Sequence, residues 1–322
     1  MDHIRRLGKS ISIPIEADEN GFTGRECPQP DCEGYFKIEL GTGLKGEGLP
    51  CHCPYCGYVA GQDQFWTKEQ IEYAKSVAIR QITDALHKDL KKLEFDHRPK
   101  GSFGIGISMK VKPGRPSPIH HYREKQLETE VVCASCTLRY SVYGVFAFCP
   151  DCGQHNSLQI LAKNLEVVGK MLDLASGAEK ALAEKLVENA LEDCVSAFDG
   201  FGRELCRVHA SRARNAAKAK KMTFQNLEGA RIGLRDLFAI DLSAGVAPEE
   251  WSAAAIAFQK RHLVAHKLGV VDQDYITKTG DSRAVVGRKI GIGADEVKEL
   301  ARTISVLAPR ISADLQRLPR NS

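Results

Sequence analysis

Cys133–Gly153 reads CASCTLRYSVYGVFAFCPDCG. Two C-x2-C pairs, Cys133/Cys136 and Cys149/Cys152, enclose twelve residues. That spacing lets two short knuckles bring four thiolates into a tetrahedron around a Zn²⁺ ion. In CPDCG, Pro150 and Gly153 let backbone amides turn toward sulfur, and the β-branched and aromatic insert TLRYSVYGVFAF reads as a hairpin. Disulfides are the other use of paired cysteines. In a chain expected to be intracellular, zinc is the reading that follows.

A second set lies upstream. Cys53 and Cys56 form a knuckle in CPYCG, and Cys27 and Cys32 in CPQPDC have four residues between them instead of two. Cys27, Cys32, Cys53 and Cys56 are the expected ligands, with Cys51 or His52 as possible substitutes for one of them. Eight thiolates close both sites, so structural metal is expected and a zinc hydrolase is not. Scaffolding is the first role for such ribbons, because a segment of ~30 residues has too small a core of its own. The aromatic residues beside them (Phe22, Tyr35, Phe36, Tyr55 and Tyr58; Tyr140, Tyr143, Phe146 and Phe148) are read mostly as core, with base stacking as the alternative. Cys194 and Cys206 stand alone in helical sequence and are read as small buried hydrophobes. His97, His120 and His121 have no thiol or acidic partner at ligand spacing and are read as surface or loop residues.

The chain has 322 residues, 43% of them hydrophobic and 27% charged, enough for two or three domains. No apolar run approaches the ~20 residues of a membrane span, and MDHIRRLGKS lacks an apolar signal core, so a cytoplasmic protein without membrane contact is expected. The net charge is +4. Residues 1–160 carry 20 basic and 20 acidic side chains, which leaves 25 and 21 for residues 161–322. The excess is concentrated in Arg203, Arg207, Arg212, Arg214, Lys218, Lys220 and Lys221. Together with Lys260 and Lys267, these are the candidate contacts to an RNA backbone, a solvated helix face being the alternative.

The organisation read from periodicity is α+β and multidomain. An N-terminal segment with the first ribbon fills 1–66, and a connecting helix fills 67–97. A β segment with the second ribbon fills 98–157, and an all-α bundle follows over 158–322. Thr67 and Gln70 make a capping box for the connecting helix. Its apolar positions Ile71, Ala74, Ala78, Ile82, Ala85, Leu86 and Leu93 keep helical spacing and call for a partner surface. The segment from Lys100 to Val132 alternates as strands around the loop PGRPSPIHH.

Within the bundle, Pro248 at a first helical position, Glu249 and Glu250 in the first turn and Gly269 as a stop bound a further helix. It carries Arg261, His262 and His266. Two imidazoles that titrate near neutrality and one fixed cation are the groups that RNA transesterification needs. At about 100° per residue the histidines lie about 40° apart, whereas Arg261 and His266 lie about 140° apart. Convergence of Arg261 with His266 therefore requires reach or deformation.

Arg261, the polar residue after it, His266, and the continuation GVVDQDYI with the Thr279–Asp281 turn resemble the HEPN superfamily over roughly 160–322. The resemblance implies a small all-α domain and metal-independent endoribonuclease chemistry at a cleft between two protomers. His266 would handle the 2′-hydroxyl proton, Arg261 would hold the scissile phosphate, and His262 would orient the substrate or share the proton. The implied product ends in a 2′,3′-cyclic phosphate. It also implies a homodimer, RNA as the macromolecular partner, a possible regulatory protein, and a toxin or antiviral setting. The competing expectation is a non-catalytic zinc-ribbon adaptor that binds RNA or protein.

Overall fold

The computed structural model describes residues 2–46, 48–97, 107–112 and 114–319, and it divides into two compact units, Met1–Gln154 and His155–Ser322. The chain is mixed α and β, with the strands of its main sheet in the first unit. Part of the segment expected to alternate as strands, 100–106 and Pro113, lies outside the described residues, as does the His97 side chain.

In the first unit, β1 (Phe22–Glu26) and β2 (Tyr35–Glu39) pair antiparallel around the Cys27/Cys32 loop. β3 (Pro50–His52) and β4 (Val59–Gly61) flank the second knuckle of that site. Two further strands, β5 (Phe95–His97) and β6 (Ile107–Met109), make a separate two-stranded pair. In the second ribbon, β7 (Thr129–Val132) pairs antiparallel with β8 (Arg139–Val142). The insert expected to be a hairpin therefore supplies one strand, and its partner precedes the first cysteine. The two ribbons share a single sheet of order β1-β2-β8-β7, joined where Lys37 and Ile38 face Ser141 and Tyr140. Its core holds Phe36, Phe65, Leu138, Tyr140 and Val142 among the cysteines. Phe22, Tyr35, Phe36 and Tyr140 are buried, which removes them from base stacking, while Tyr143 stays exposed.

The helix α1 (Asp2–Arg6) arises in a stretch whose own structure signals are weak. Its first amides, those of Asp2, His3 and Ile4, donate to the Asp89 carboxylate at 3.1 Å, so a cap from outside the segment holds it. Asp89 belongs to α2 (Lys68–Lys91), which begins with the expected box: Thr67 Oγ1 accepts from Gln70 N–H, and Gln70 Oε1 accepts from Thr67 N–H. Of the apolar positions that called for a partner, Ala85 is buried, while Ile71, Ile82, Leu86 and Leu93 remain exposed.

The second unit comprises α3 (Ser157–Ser176), α4 (Lys180–Val208), the single turn α5 (Ala216–Ala219), α6 (Leu227–Phe238), α7 (Pro248–Lys267), α8 (Gln273–Thr279) and α9 (Ala294–Arg317). Phe198 lies at the core centre, 5.6 Å from Phe224 and 6.2 Å from both Phe201 and Phe258 by ring centroid. Gly202 allows this packing, because a Cβ there would lie 2.4 Å from the Phe224 ring. Cys194 and Cys206 are buried in the same core, and burial pushes both thiols up to about 12. Asn226 caps α6 by accepting from Gly229 N–H. α7 starts at Pro248 as expected and ends through Leu268 and Gly269, both in the left-handed region at φ 53° and 76°, with Gly269 N–H returning to Leu263 O. The segment after it contains α8: Asp272 caps it by accepting from Tyr275 N–H, and the Tyr275 hydroxyl donates to Asp281.

Candidate metal centres and a histidine-bearing helix

Four thiolates around a metal at the usual ~2.3 Å define a tetrahedron with sulfur–sulfur edges of about 3.8 Å. Cys27–Cys56 and Cys32–Cys53 lie 3.7 Å apart, Cys133–Cys152 3.7 Å and Cys136–Cys149 3.4 Å, with every sulfur of each set within 4.8 Å of the others. Both sets fit one tetrahedral cation each. Backbone geometry builds the cradles: Gly57, Thr137 and Gly153 sit four residues after Cys53, Cys133 and Cys149, and each donates its N–H to that cysteine's carbonyl from a positive φ. Thr137 does this with a side chain, and Glu33, after Cys32, likewise carries one at φ 43° while its N–H donates to Gln29 O. Amide donors also meet sulfur, as when Tyr55 N–H approaches Cys53 Sγ at 3.4 Å. Burial pushes the Cys27 thiol up to about 12 and Cys136 up to about 11. Burial acts the same way on Cys56 and Cys133, but amides of Tyr58 and Cys136 and neighbouring thiols outweigh it and lower both. A bound divalent cation would supply the positive charge that four crowded thiolates require.

Neither substitute ligand takes part. Cys51 points from β3 into the core, and its thiol is pushed up to about 12 by burial. His52 turns its ring toward the second ribbon, with Nδ1 3.2 Å from Pro150 O.

On α7 the histidines and the arginine face different surroundings. His262 and His266 are exposed, with ring centroids 4.8 Å apart. Arg261 is 8% exposed and belongs to the face that carries Ala254, Ala257 and Phe258 into the core. Its guanidinium reaches Glu192 of α4 at 3.7 Å, and its Nε is buried without a hydrogen-bond partner. The helix did not deform to merge the two faces, so the single chain joins the imidazoles and holds Arg261 behind them. Burial lowers His262 from its ordinary value first, and His266, Lys267, Lys278 and Arg261 add to the effect electrostatically. The neutral imidazole is thereby favoured at His262.

The basic residues divide by role. Lys260 is 5% exposed, with Nζ 2.7 Å from Glu296 and 3.1 Å from Gly291 O, so it is a buried ion pair and not a surface contact. Arg207 forks onto Glu204 at 2.6 and 2.7 Å, and Arg203 lies 3.7 Å from Asp199. Arg212 donates to the carbonyls of Leu315 and Gln316 near the end of α9, and Arg214 donates to Asp236 O. Lys267 pairs with Asp272. Lys218, Lys220 and Lys221 are exposed and, among the described residues, show no ion-pair partner. The sequence reading missed Glu192 as the partner of Arg261, since 69 positions separate them with no local signal. It also missed Lys278, whose charge reaches His262 from α8.

Among the described residues no helix is long and apolar enough to cross a membrane. No protein-family model, curated protein or solved structure matches this chain.

Proposed function

We propose that the helical unit is a metal-independent endoribonuclease and that the two four-cysteine sites hold structural Zn²⁺. The observation that carries the chemistry is the exposed His262/His266 pair at the end of α7, with the charges of Lys267 and Lys278 reaching His262 and a buried cation, Arg261, behind it. Neutral His262 accepts the proton of a ribose 2′-hydroxyl as that oxygen attacks phosphorus. His266 gives a proton to the departing 5′-oxygen. Arg261 acts from behind as a positioning residue: fixed by Glu192, it disfavours protonation of His262. A symmetric dimer facing two α7 helices together would double the set of acids and bases and exclude water from the cleft.

Zinc follows from donor chemistry. Four sulfurs at tetrahedral spacing suit Zn²⁺, and a closed shell leaves it structural.

Incubation of purified protein with single-stranded RNA, under brief EDTA treatment, tests the proposal. Wild type is expected to cut and leave 2′,3′-cyclic phosphate ends, and His266→Ala is expected to lose roughly 100-fold or more in rate at unchanged metal content. Equal cleavage by both proteins would overturn it. The burial of Arg261 favours one other reading, a non-catalytic RNA adaptor, which predicts RNA binding by wild type with no cleavage at all.

A further inference from the structure

A cleft of about 460 Å³ opens between α6, α7 and α8, within the range of small-molecule sites. Leu227 and Ile232 of α6 and Ile256 of α7 form its apolar wall; Gln259 and Ser252 of α7 and Lys278 of α8 supply polar groups. On α7, Ser252, Ile256, Gln259, His262 and His266 fall within an arc of about 120° at 100° per residue. The histidine pair does not line the cleft, but it stands on the same face of α7, toward the C-terminal end of the helix. Gln259 precedes His262 by one turn, about 4.5 Å along the axis. Lys278 belongs to both places: it lines the cleft, and its charge reaches His262.

We infer that this cleft is a nucleobase subsite, which takes one unstacked base of a single-stranded RNA and sets the adjoining ribose and phosphate over His262 and His266. The inference rests on the ribonuclease reading for its placement, and binding measurements test it separately. A splayed base needs an apolar slot for its faces and an amide for its edge. Ile256 and Ile232 offer the slot, with Ile232 43% exposed on an otherwise amphipathic helix. The half-buried Gln259 amide offers a donor and an acceptor together. Lys278, held by Asp274 at 2.7 Å, stands at the rim where a phosphate would leave the slot.

The experiment uses fluorescent 2′-O-methyl octanucleotides of A, C, G and U, which bind and cannot be cleaved, with the full-length protein and anisotropy as readout. Ile256→Trp fills the slot and is expected to weaken the best-bound oligonucleotide at least tenfold, and Gln259→Leu at least threefold. If Ile256→Trp fails to fold by circular dichroism, Gln259→Leu decides. Slot variants that bind every oligonucleotide within twofold of wild type would overturn the subsite, as would a wild type that binds none. Impaired slot variants beside a wild type that cuts no natural RNA would leave the subsite standing and remove the nuclease. Intact cleavage by a non-binding slot variant would do the reverse.

Discussion

Lys260 reads from sequence as one more cation on a basic helix, yet the structure seats it under the protein surface against Glu296, and this difference has a measurable size. The pair is 2.7 Å long, with the lysine side chain 6% and the glutamate 26% exposed. Breaking a buried pair by deleting one partner costs about 3–5 kcal/mol, because the remaining charge is left without compensation. Partial exposure of Glu296 lets water reach Nζ and discounts that figure. Glu296 also lies in the first turn of α9, where its charge meets the helix dipole and is worth about 0.3–1 kcal/mol. Glu296→Ala should then destabilise the helical unit by about 3 kcal/mol. For a unit of this size that lowers the melting temperature by roughly 6–12 °C. Lys260→Met keeps the volume but leaves Glu296 charged; that carboxylate is 26% exposed and stands in the first turn of α9, so water and the helix dipole compensate it and the loss should be about 1 kcal/mol, smaller than for Glu296→Ala. Thermal melts by circular dichroism, with urea titration of the same variants, provide the comparison. A loss below about 0.5 kcal/mol for Glu296→Ala, or reduced RNA affinity in a normally stable Lys260→Met, would refute the burial argument.

Metal analysis of the purified chain should find two tightly held ions, falling to one in Cys149→Ser and staying at two in Cys51→Ser; loss of an ion in the latter would move Cys51 into the site. Acid should weaken the helical unit through Glu204. Burial pushes its carboxyl up, but hydrogen bonds from Arg207 and His155 overcome this and hold it at about 2, against an ordinary value of 4.5. A depressed carboxylate contributes stability fully above the unfolded value, and that contribution drains as pH falls from about 4.5 toward 2. Glu204→Gln should flatten the stability curve in that window, and an unchanged curve counts against the buried network. Replacing Lys218, Lys220 and Lys221 together by Ala should lower the slope of log affinity against log salt for single-stranded RNA by up to about 2. An unaltered slope would take the block away from the nucleic acid.

Much of the local structure was already present in residue patterns. The four cysteines of each site, the Thr67/Gln70 box and the Pro248 start of α7 all emerge as read, because each depends on groups a few residues apart or on a repeated knuckle. The strand pairing of the second ribbon did not: β8 pairs locally with β7, which precedes the first cysteine, and its other edge meets β2, where Ile38 faces Tyr140 across a sequence distance that periodicity does not encode. α1 was missed because its cap, Asp89, lies more than eighty residues away.

At the histidine helix the division is sharper. Helical geometry alone put His262 and His266 on one face and Arg261 on another. Which face is wet, and which meets Glu192, depends on where α4 packs. That placement comes from the burial of Phe198 and Phe258 against each other, a long-range contact between apolar surfaces with no directional signature in the chain. The same holds for charge: sequence counts cations, while only packing separates Lys260, which is desolvated and paired, from Lys218, Lys220 and Lys221, which remain in water.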